Sequence, residues 1–178
     1  MVNRDDFVAA ALNPGLLGAP YRKYDCQAYV EKVLRDCGVN RNWRGSNHIW
    51  REALSWRGSV DECIAKFGEI PRGACLFTVK NDGGERARGY RDNDGNAAHI
   101  GIYTGVNGGA RHSTTGGVQD CKAPDSKRWT HVGFLKDVDF TLYLEAEAHR
   151  PSQIADRLRK CVAEIENIIE DMEAQNEH

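Results

Sequence analysis

The residues from Cys26 to Cys37 carry the strongest local pattern in the chain. The apolar side chains in this stretch recur every three or four residues, at Tyr29, Val30, Val33, Leu34 and Cys37. This is the spacing of a helix with one buried face. Asp25 stands where an N-cap residue belongs, and Gly38 follows the last apolar residue as a C-terminal glycine does. The pattern therefore predicts a helix that begins at a cysteine and packs one face on a core.

The second half of the chain carries the short apolar or alternating runs that are typical of strands. The predicted strands are 74–79, 99–105, 110–114, 131–135 and 138–144. The other predicted helices are 4–17, 48–55 and 60–67. Residues 80–98 are polar and rich in glycine, which predicts a long loop. Together these elements predict an α+β fold, with the helix from Cys26 packed on a small antiparallel sheet.

After Pro151 the apolar residues recur in steps of four and three. They are Ile154, Leu158, Cys161, Ile165, Ile168 and Met172. This spacing is a heptad seam of about three repeats. It predicts a C-terminal helical appendage over 146–178, beside a domain that spans 1–145. Docking of this helix on the domain and self-association through 151–178 are equally compatible with the pattern.

Length and charge narrow the class of protein. The 178 residues suffice for one domain with a buried core. The formal net charge of −2 comes without a basic stripe, so no nucleic-acid partner is expected. The N-terminus lacks the apolar core of a Sec signal, and no run approaches the roughly 18 apolar residues of a membrane span. We expect a protein made in the cytoplasm, with no membrane partner.

The cysteines do not follow a metal-binding or disulfide pattern. They are Cys26, Cys37, Cys63, Cys75, Cys121 and Cys161. Cys-x-x-Cys and His-Glu-x-x-His motifs are both missing from the sequence, so we expect reduced thiols, no metal and no cofactor. Cys26 differs from the others because it stands at a predicted helix start, where the helix dipole favours a thiolate.

Two histidines on predicted neighbouring strands complete a candidate catalytic set. His99 opens the run His-Ile-Gly-Ile-Tyr, and His112 lies in Ala-Arg-His-Ser-Thr. A thiol nucleophile needs an imidazole base, and the base needs a partner on its other ring nitrogen. The order predicts Cys26 as nucleophile, His99 as base and His112 as its orienting partner. His131, in the similar run His-Val-Gly-Phe-Leu, stays open as an alternative base, and a buried inert thiol with structural histidines is the plain alternative.

These segments resemble the NlpC/P60 family of papain-like cysteine peptidases. The matching segments are 20–21, 25–30, 73–77, 99–105 and 111–113, which follow one another in the family's order. The similarity covers roughly residues 5–140, and His-Ile-Gly-Ile-Tyr is its most specific part. The resemblance implies a papain-like fold with Cys26, His99 and His112 as the catalytic residues, and it favours His99 over His131.

The resemblance also implies a substrate. Members of the family hydrolyse amide bonds in peptidoglycan stem peptides, commonly at D-Glu linked to a diamino acid, without a metal or another cofactor. Tyr21, Asp25 and Gln27, which flank the nucleophile, are the corresponding substrate-binding candidates. An enzyme of this kind without a Sec signal is expected to be a phage or prophage endolysin that reaches the cell wall after lysis or on a particle.

The sequence departs from the family at three places. Gln27-Ala28 replaces Ser-Gly after the nucleophile, Ala74 replaces the usual Asp, and the 80–98 loop is longer than the usual connection. Residues 92–96 are a fragment of a calcium-loop pattern without its closing Glu, so calcium is not expected. Two other functions remain open. One is an amidase or acyltransferase on the same fold that acts on a small or lipid substrate, and the other is a non-catalytic phage particle or assembly component.

Overall fold

The computed structural model describes residues 1–80, 90, 92–123, 128–145 and 162. The helices are α1 (Arg4–Ala11), α2 (Cys26–Asp36), α3 (Ser46–Glu52) and α4 (Val60–Phe67), with short 3₁₀ turns at Pro14–Leu16 and Val106–Gly108. The strands are β1 (Leu54–Ser59), β2 (Cys75–Lys80), β3 (Asn96–Tyr103), β4 (Gly109–Thr114), β5 (Gly117–Lys122) and β6 (His131–Leu135). The chain divides into two compact units, Met1–Phe140 and Thr141–His178.

The strands of the first unit form one antiparallel sheet of six strands, in the order β1-β6-β2-β3-β4-β5. β3 and β4 are the hairpin that the sequence predicted, and their register sets Gly101 opposite His112. Helix α2 packs against β3 and β4. The predicted α+β class, with a helix on an antiparallel sheet, is therefore confirmed.

Helix α2 is held in place by its cap and by its buried face. The Asp25 carboxylate accepts a hydrogen bond of 2.7 Å from the Ala28 N–H, and Gly38 follows the helix in the left-handed region, with φ of 84°. Four of the five apolar side chains predicted to face the core are fully buried, at Tyr29, Val30, Val33 and Leu34, whereas Cys37 at the helix end is only half-buried. Each such burial contributes roughly 1.5–3 kcal/mol, so the residue at the helix start has a fixed position.

The sequence pattern did not predict strands β1 and β5, and the predicted strand 138–144 is wrong. Strand β1 begins inside the segment predicted as helix 48–55, because α3 ends at Glu52. Strand β5 lies at the sheet edge and carries mostly polar residues, so it has no apolar pattern. In the predicted strand 138–144, Val138 makes only an isolated parallel bridge to Val2, and residues 141–145 are helical. Leu142 is 78% exposed, so the apparent alternation does not mark a buried face there.

Two predicted segments fall largely outside the described residues. The 80–98 loop is shorter than predicted at its C-terminal end, because β3 begins at Asn96; residues 81–89 and 91 lie outside the description. The predicted C-terminal helix over 146–178 also lies outside it, apart from Val162, which is helical and exposed. Within the described part of the chain, no helix combines the length and the apolar character that crossing a membrane requires.

Candidate active site

Cys26 is the first residue of α2, and its thiol lies against strand β3. The residue is 8% exposed. The backbone N–H groups of Ile100 and Gln27 and the Tyr21 hydroxyl are near enough to the thiol to lower its pKa. Ile100 directly follows His99 on β3. The structure thus places the predicted nucleophile beside the strand that carries the predicted base.

The Cys26 thiol is not activated by its helix position alone. Burial raises the pKa of the thiol, and the Asp25 carboxylate raises it further. The hydrogen bonds from Ile100, Gln27 and Tyr21 lower the pKa but do not offset burial. Burial thus outweighs the groups that favour the thiolate at this helix start, and we expect the thiol to need a base at neutral pH.

His99 and His112 form a hydrogen-bonded pair across β3 and β4. The Nε2 atom of His99 lies 2.7 Å from the Nδ1 atom of His112. His112 is fully buried, and its Nε2 atom faces the Arg128 guanidinium at 3.5 Å. Because Nε2 of His99 contacts His112, only Nδ1 of His99 is available to a reacting group. The structure thus brings together the two histidines that the sequence predicted as partners.

Both imidazoles of the pair are neutral at pH 7. Burial lowers the pKa of His99 to about 4, and the charge of Arg128 also lowers it. The pKa of His112 is likewise lowered to about 4, chiefly by burial and then by His99 and Arg128, while Asp120 acts in the opposite direction. A neutral imidazole can accept a proton on the ring nitrogen that carries none, whereas an imidazolium cannot.

Trp129 packs against both histidines. Its ring stacks on His99, with centroids 5.5 Å apart, and meets the ring of His112 edge-on at 5.4 Å. Trp129 is 1% exposed. Gly101 leaves room for this packing, because a Cβ atom there would lie 2.8 Å from Trp129 and 2.9 Å from the Cβ of His112. The indole therefore excludes water from one side of the pair and limits how its rings can turn.

The segment before the nucleophile is tied to the histidine strand. Ser113, which follows His112 on β4, is buried and donates a hydrogen bond from its hydroxyl to the Tyr24 carbonyl. Tyr21, from the same segment, is 37% exposed and hydrogen-bonds the Cys26 thiol. This arrangement gives Tyr21 access to solvent and to the sulfur at once, as a residue that touches substrate requires.

The side chain of Gln27 has a structural role. Its amide donates to the Glu31 carboxylate at 2.7 Å and to the Trp43 carbonyl at 2.9 Å, and its carbonyl accepts from the Gly45 N–H at 2.8 Å. These bonds fix the loop that precedes α3. Its predicted part in substrate binding stays a prediction, as does that of Asp25, whose carboxylate caps α2.

His131 lies in different surroundings from His99. It is on β6, which β2 separates from β3. Its Nδ1 atom is 2.8 Å from the Thr130 hydroxyl, and its ring packs edge-on against Trp50 at 5.2 Å. The hydrogen-bonded imidazole pair is therefore formed by His99 and His112, and His131 is not part of it.

The acidic residues around 92–96 are neutralised by arginines. Arg51 binds the Asp92 carboxylate through two hydrogen bonds of 2.8 and 2.6 Å, and Arg57 pairs with Asp94 at 2.6 Å. These ion pairs fasten the start of β3 to α3 and β1. Over the described residues, no cluster of three or more histidine, cysteine or acidic side chains is arranged to hold a metal ion.

Comparison of sequences does not assign the chain to a family. No protein-family model matches it, and no curated protein matches it. What the site can do is therefore argued from its own geometry. A buried thiol at a helix N-terminus, next to a strand that carries one of two hydrogen-bonded neutral imidazoles, is compatible with a cysteine nucleophile and its base.

Replacing Gly101 by alanine tests the packing around the histidine pair. The added Cβ would collide with Trp129 and His112, so we expect the Gly101→Ala variant to lose about 1–3 kcal/mol of unfolding free energy. Urea denaturation followed by fluorescence measures this loss. Gly116→Ala is the matched control, because a Cβ there meets its nearest neighbour at an ordinary 3.6 Å. Equal stability of the two variants would contradict the proposed packing.

The lowered histidine pKa values predict how stability depends on pH. An unfolded histidine has a pKa of about 6.5, so between about pH 6.5 and 4 the unfolded chain binds more protons than the folded protein. The free energy of unfolding should then be highest above this window and fall as the pH is lowered through it. Urea titrations across the window should show a shallower fall for His99→Gln. Burial also lowers the pKa of His131, but this residue contributes equally to the native protein and to His99→Gln. The same dependence of unfolding free energy on pH in the two proteins would therefore contradict the lowered pKa of His99.

Proposed function

We propose that this protein is a cysteine peptidase of the papain-like NlpC/P60 type that hydrolyses amide bonds in peptidoglycan stem peptides. The observation that carries the proposal is the 2.7 Å contact between His99 Nε2 and His112 Nδ1, in which His99 directly precedes Ile100, whose backbone N–H lowers the pKa of the Cys26 thiol. The order of the matching motifs along the sequence supports the family, and the α2-on-sheet architecture is compatible with it.

The mechanism begins with transfer of the thiol proton. His99 accepts the proton of Cys26 at Nδ1 as the sulfur attacks the carbonyl carbon of the scissile amide. The imidazolium that forms holds its Nε2 proton toward His112 Nδ1, and this hydrogen bond stabilises it and fixes its orientation. His99 then gives the proton to the leaving amine, and a thioester to Cys26 remains.

Hydrolysis of the thioester regenerates the site. His99, neutral again, accepts a proton from a water molecule as that water attacks the thioester carbonyl. The proton returns to the sulfur as the carboxylic acid leaves. In both stages the carbonyl oxygen becomes an oxyanion, which we expect the backbone N–H of Cys26 and the hydroxyl of Tyr21 to stabilise.

The two reacting groups are uncharged at rest. Burial keeps the Cys26 thiol protonated and the His99 ring neutral, so neither group carries a charge until substrate excludes water from the site. The charges then appear together, as a thiolate and an imidazolium that stabilise one another.

In the cell-wall setting, this enzyme would act after lysis or after delivery on a phage particle.

The direct test is digestion of purified peptidoglycan sacculi from several chemotypes, followed by mass spectrometry of the released fragments. We expect stem-peptide fragments from at least one chemotype, none with Cys26→Ala, and at least about a hundredfold slower release with His112→Ala. Cys37→Ala is the control for loss of a thiol, because Cys37 lies at the far end of α2 and should retain full activity.

Three results would contradict the proposal. The first is the absence of peptide release from every chemotype. The second is turnover of small acyl or lipid amides without any action on sacculi, which would favour the amidase or acyltransferase alternative. Release that is equal for the native protein and Cys26→Ala would show that the cysteine is not the nucleophile.

A further inference from the structure

The contact with Arg128 determines where the protons of the two resting imidazoles lie. A guanidinium only donates hydrogen bonds. Because Nη1 of Arg128 faces Nε2 of His112 at 3.5 Å, that nitrogen keeps its lone pair and the proton of neutral His112 is on Nδ1. This proton is then donated to Nε2 of His99, 2.7 Å away. The proton of neutral His99 is consequently on Nδ1.

This resting arrangement opposes the proposed reaction. To accept the thiol proton, Nδ1 of His99 must carry a lone pair, so the His99 proton must be on Nε2 and point at His112 Nδ1. The proton of His112 must then be on Nε2, where it meets the Arg128 guanidinium. Two donors facing each other repel, so Arg128 has to leave His112 before His99 can act as a base.

The Arg128 side chain is placed so that it can leave. Its backbone is anchored, because the Thr78 hydroxyl donates to the Arg128 carbonyl at 2.5 Å and Trp129 beside it is buried. The residue itself is exposed. The Asp120 carboxylate, which also acts on His112, is bound through both oxygens to Arg111 at 2.7 and 3.0 Å. Within the described ranges, no carboxylate forms an ion pair with Arg128.

We propose that Arg128 is a specificity-determining residue that binds a free carboxylate of the substrate and, by leaving His112, releases the histidine pair for catalysis. The inference rests on the proposed peptidase function, whose stem-peptide substrates carry free carboxylates besides the scissile amide. A carboxylate accepts two parallel hydrogen bonds from a guanidinium and carries the opposite charge, so it competes well for Arg128. A carboxamide offers neither advantage.

The protons balance in this release. The proton on His112 Nδ1 crosses to His99 Nε2 along the existing hydrogen bond. His99 gives its Nδ1 proton to water, and His112 takes a proton from water at Nε2, which the guanidinium has uncovered. Each ring begins and ends neutral with one proton, and no other reactant is needed. His99 Nδ1 is then free to accept from the Cys26 thiol.

Matched peptides test the specificity. One stem tetrapeptide has all its carboxylates free, and in each of the others a single carboxylate is converted to a carboxamide. The kcat/KM of each carboxamide peptide is compared with that of the free-carboxylate peptide. We expect the native protein to prefer one free carboxylate at least about tenfold and Arg128→Gln to show a ratio near one. Arg35→Gln is the control, because Arg35 is an exposed arginine in the last turn of α2, and it should keep the native preference. A preserved preference in Arg128→Gln, or none in the native protein, would overturn the proposal.

Ring-nitrogen NMR tests the same inference without turnover. The Cys26→Ala variant is used because it leaves the peptide intact. In this variant alone we expect the His112 proton on Nδ1. After the free-carboxylate peptide is added, we expect that proton on Nε2. The carboxamide peptide should leave it on Nδ1, and the additional change Arg128→Gln should place it on Nε2 without peptide. A proton on Nε2 before any addition would overturn the inference. If neither peptide is cleaved but the proton moves as expected, the peptidase proposal fails and Arg128 remains a carboxylate-binding switch.

Discussion

The hydrogen bond between His99 and His112 is the interaction on which the rest of the site depends. It requires the register of β3 and β4, which sets Gly101 opposite His112 and brings the two imidazoles within 2.7 Å. It also requires a small residue at position 101, since a larger side chain would displace Trp129 from the rings. Helix α2 then adds the thiol from the other side, and its Asp25 cap and buried face fix where that thiol lies.

Burial of the thiol and the two imidazoles costs folding free energy and determines their protonation states. Taking a thiol and two imidazoles out of water disfavours their charged forms, which raises the pKa of Cys26 and lowers the pKa of each histidine to about 4. The two imidazoles tolerate this because they are hydrogen-bonded to one another. The resulting site is uncharged at rest, and Arg128 is the cation that controls it from its exposed edge.

Local patterns in the sequence were enough to predict α2, its cap, the β3–β4 hairpin and the meeting of His99 with His112. Each of these depends on residues close in the chain or on adjacent strands, where periodicity carries the information. Trp129 and Arg128 were missed because they precede β6, which lies three places from β4 in the sheet, and no periodicity encodes that order. The structural role of Gln27 was missed for a similar reason, since it depends on an irregular loop at 43–45.

His99 and His112 act as one hydrogen-bonded pair. NMR of the histidine rings measures this directly, because a hydrogen bond between two nitrogens transmits a scalar coupling from one to the other. We predict a coupling between Nε2 of His99 and Nδ1 of His112 at neutral pH, with one shared proton protected from exchange with solvent. Independent ring signals without coupling, and a proton on each nitrogen that exchanges freely, would contradict it.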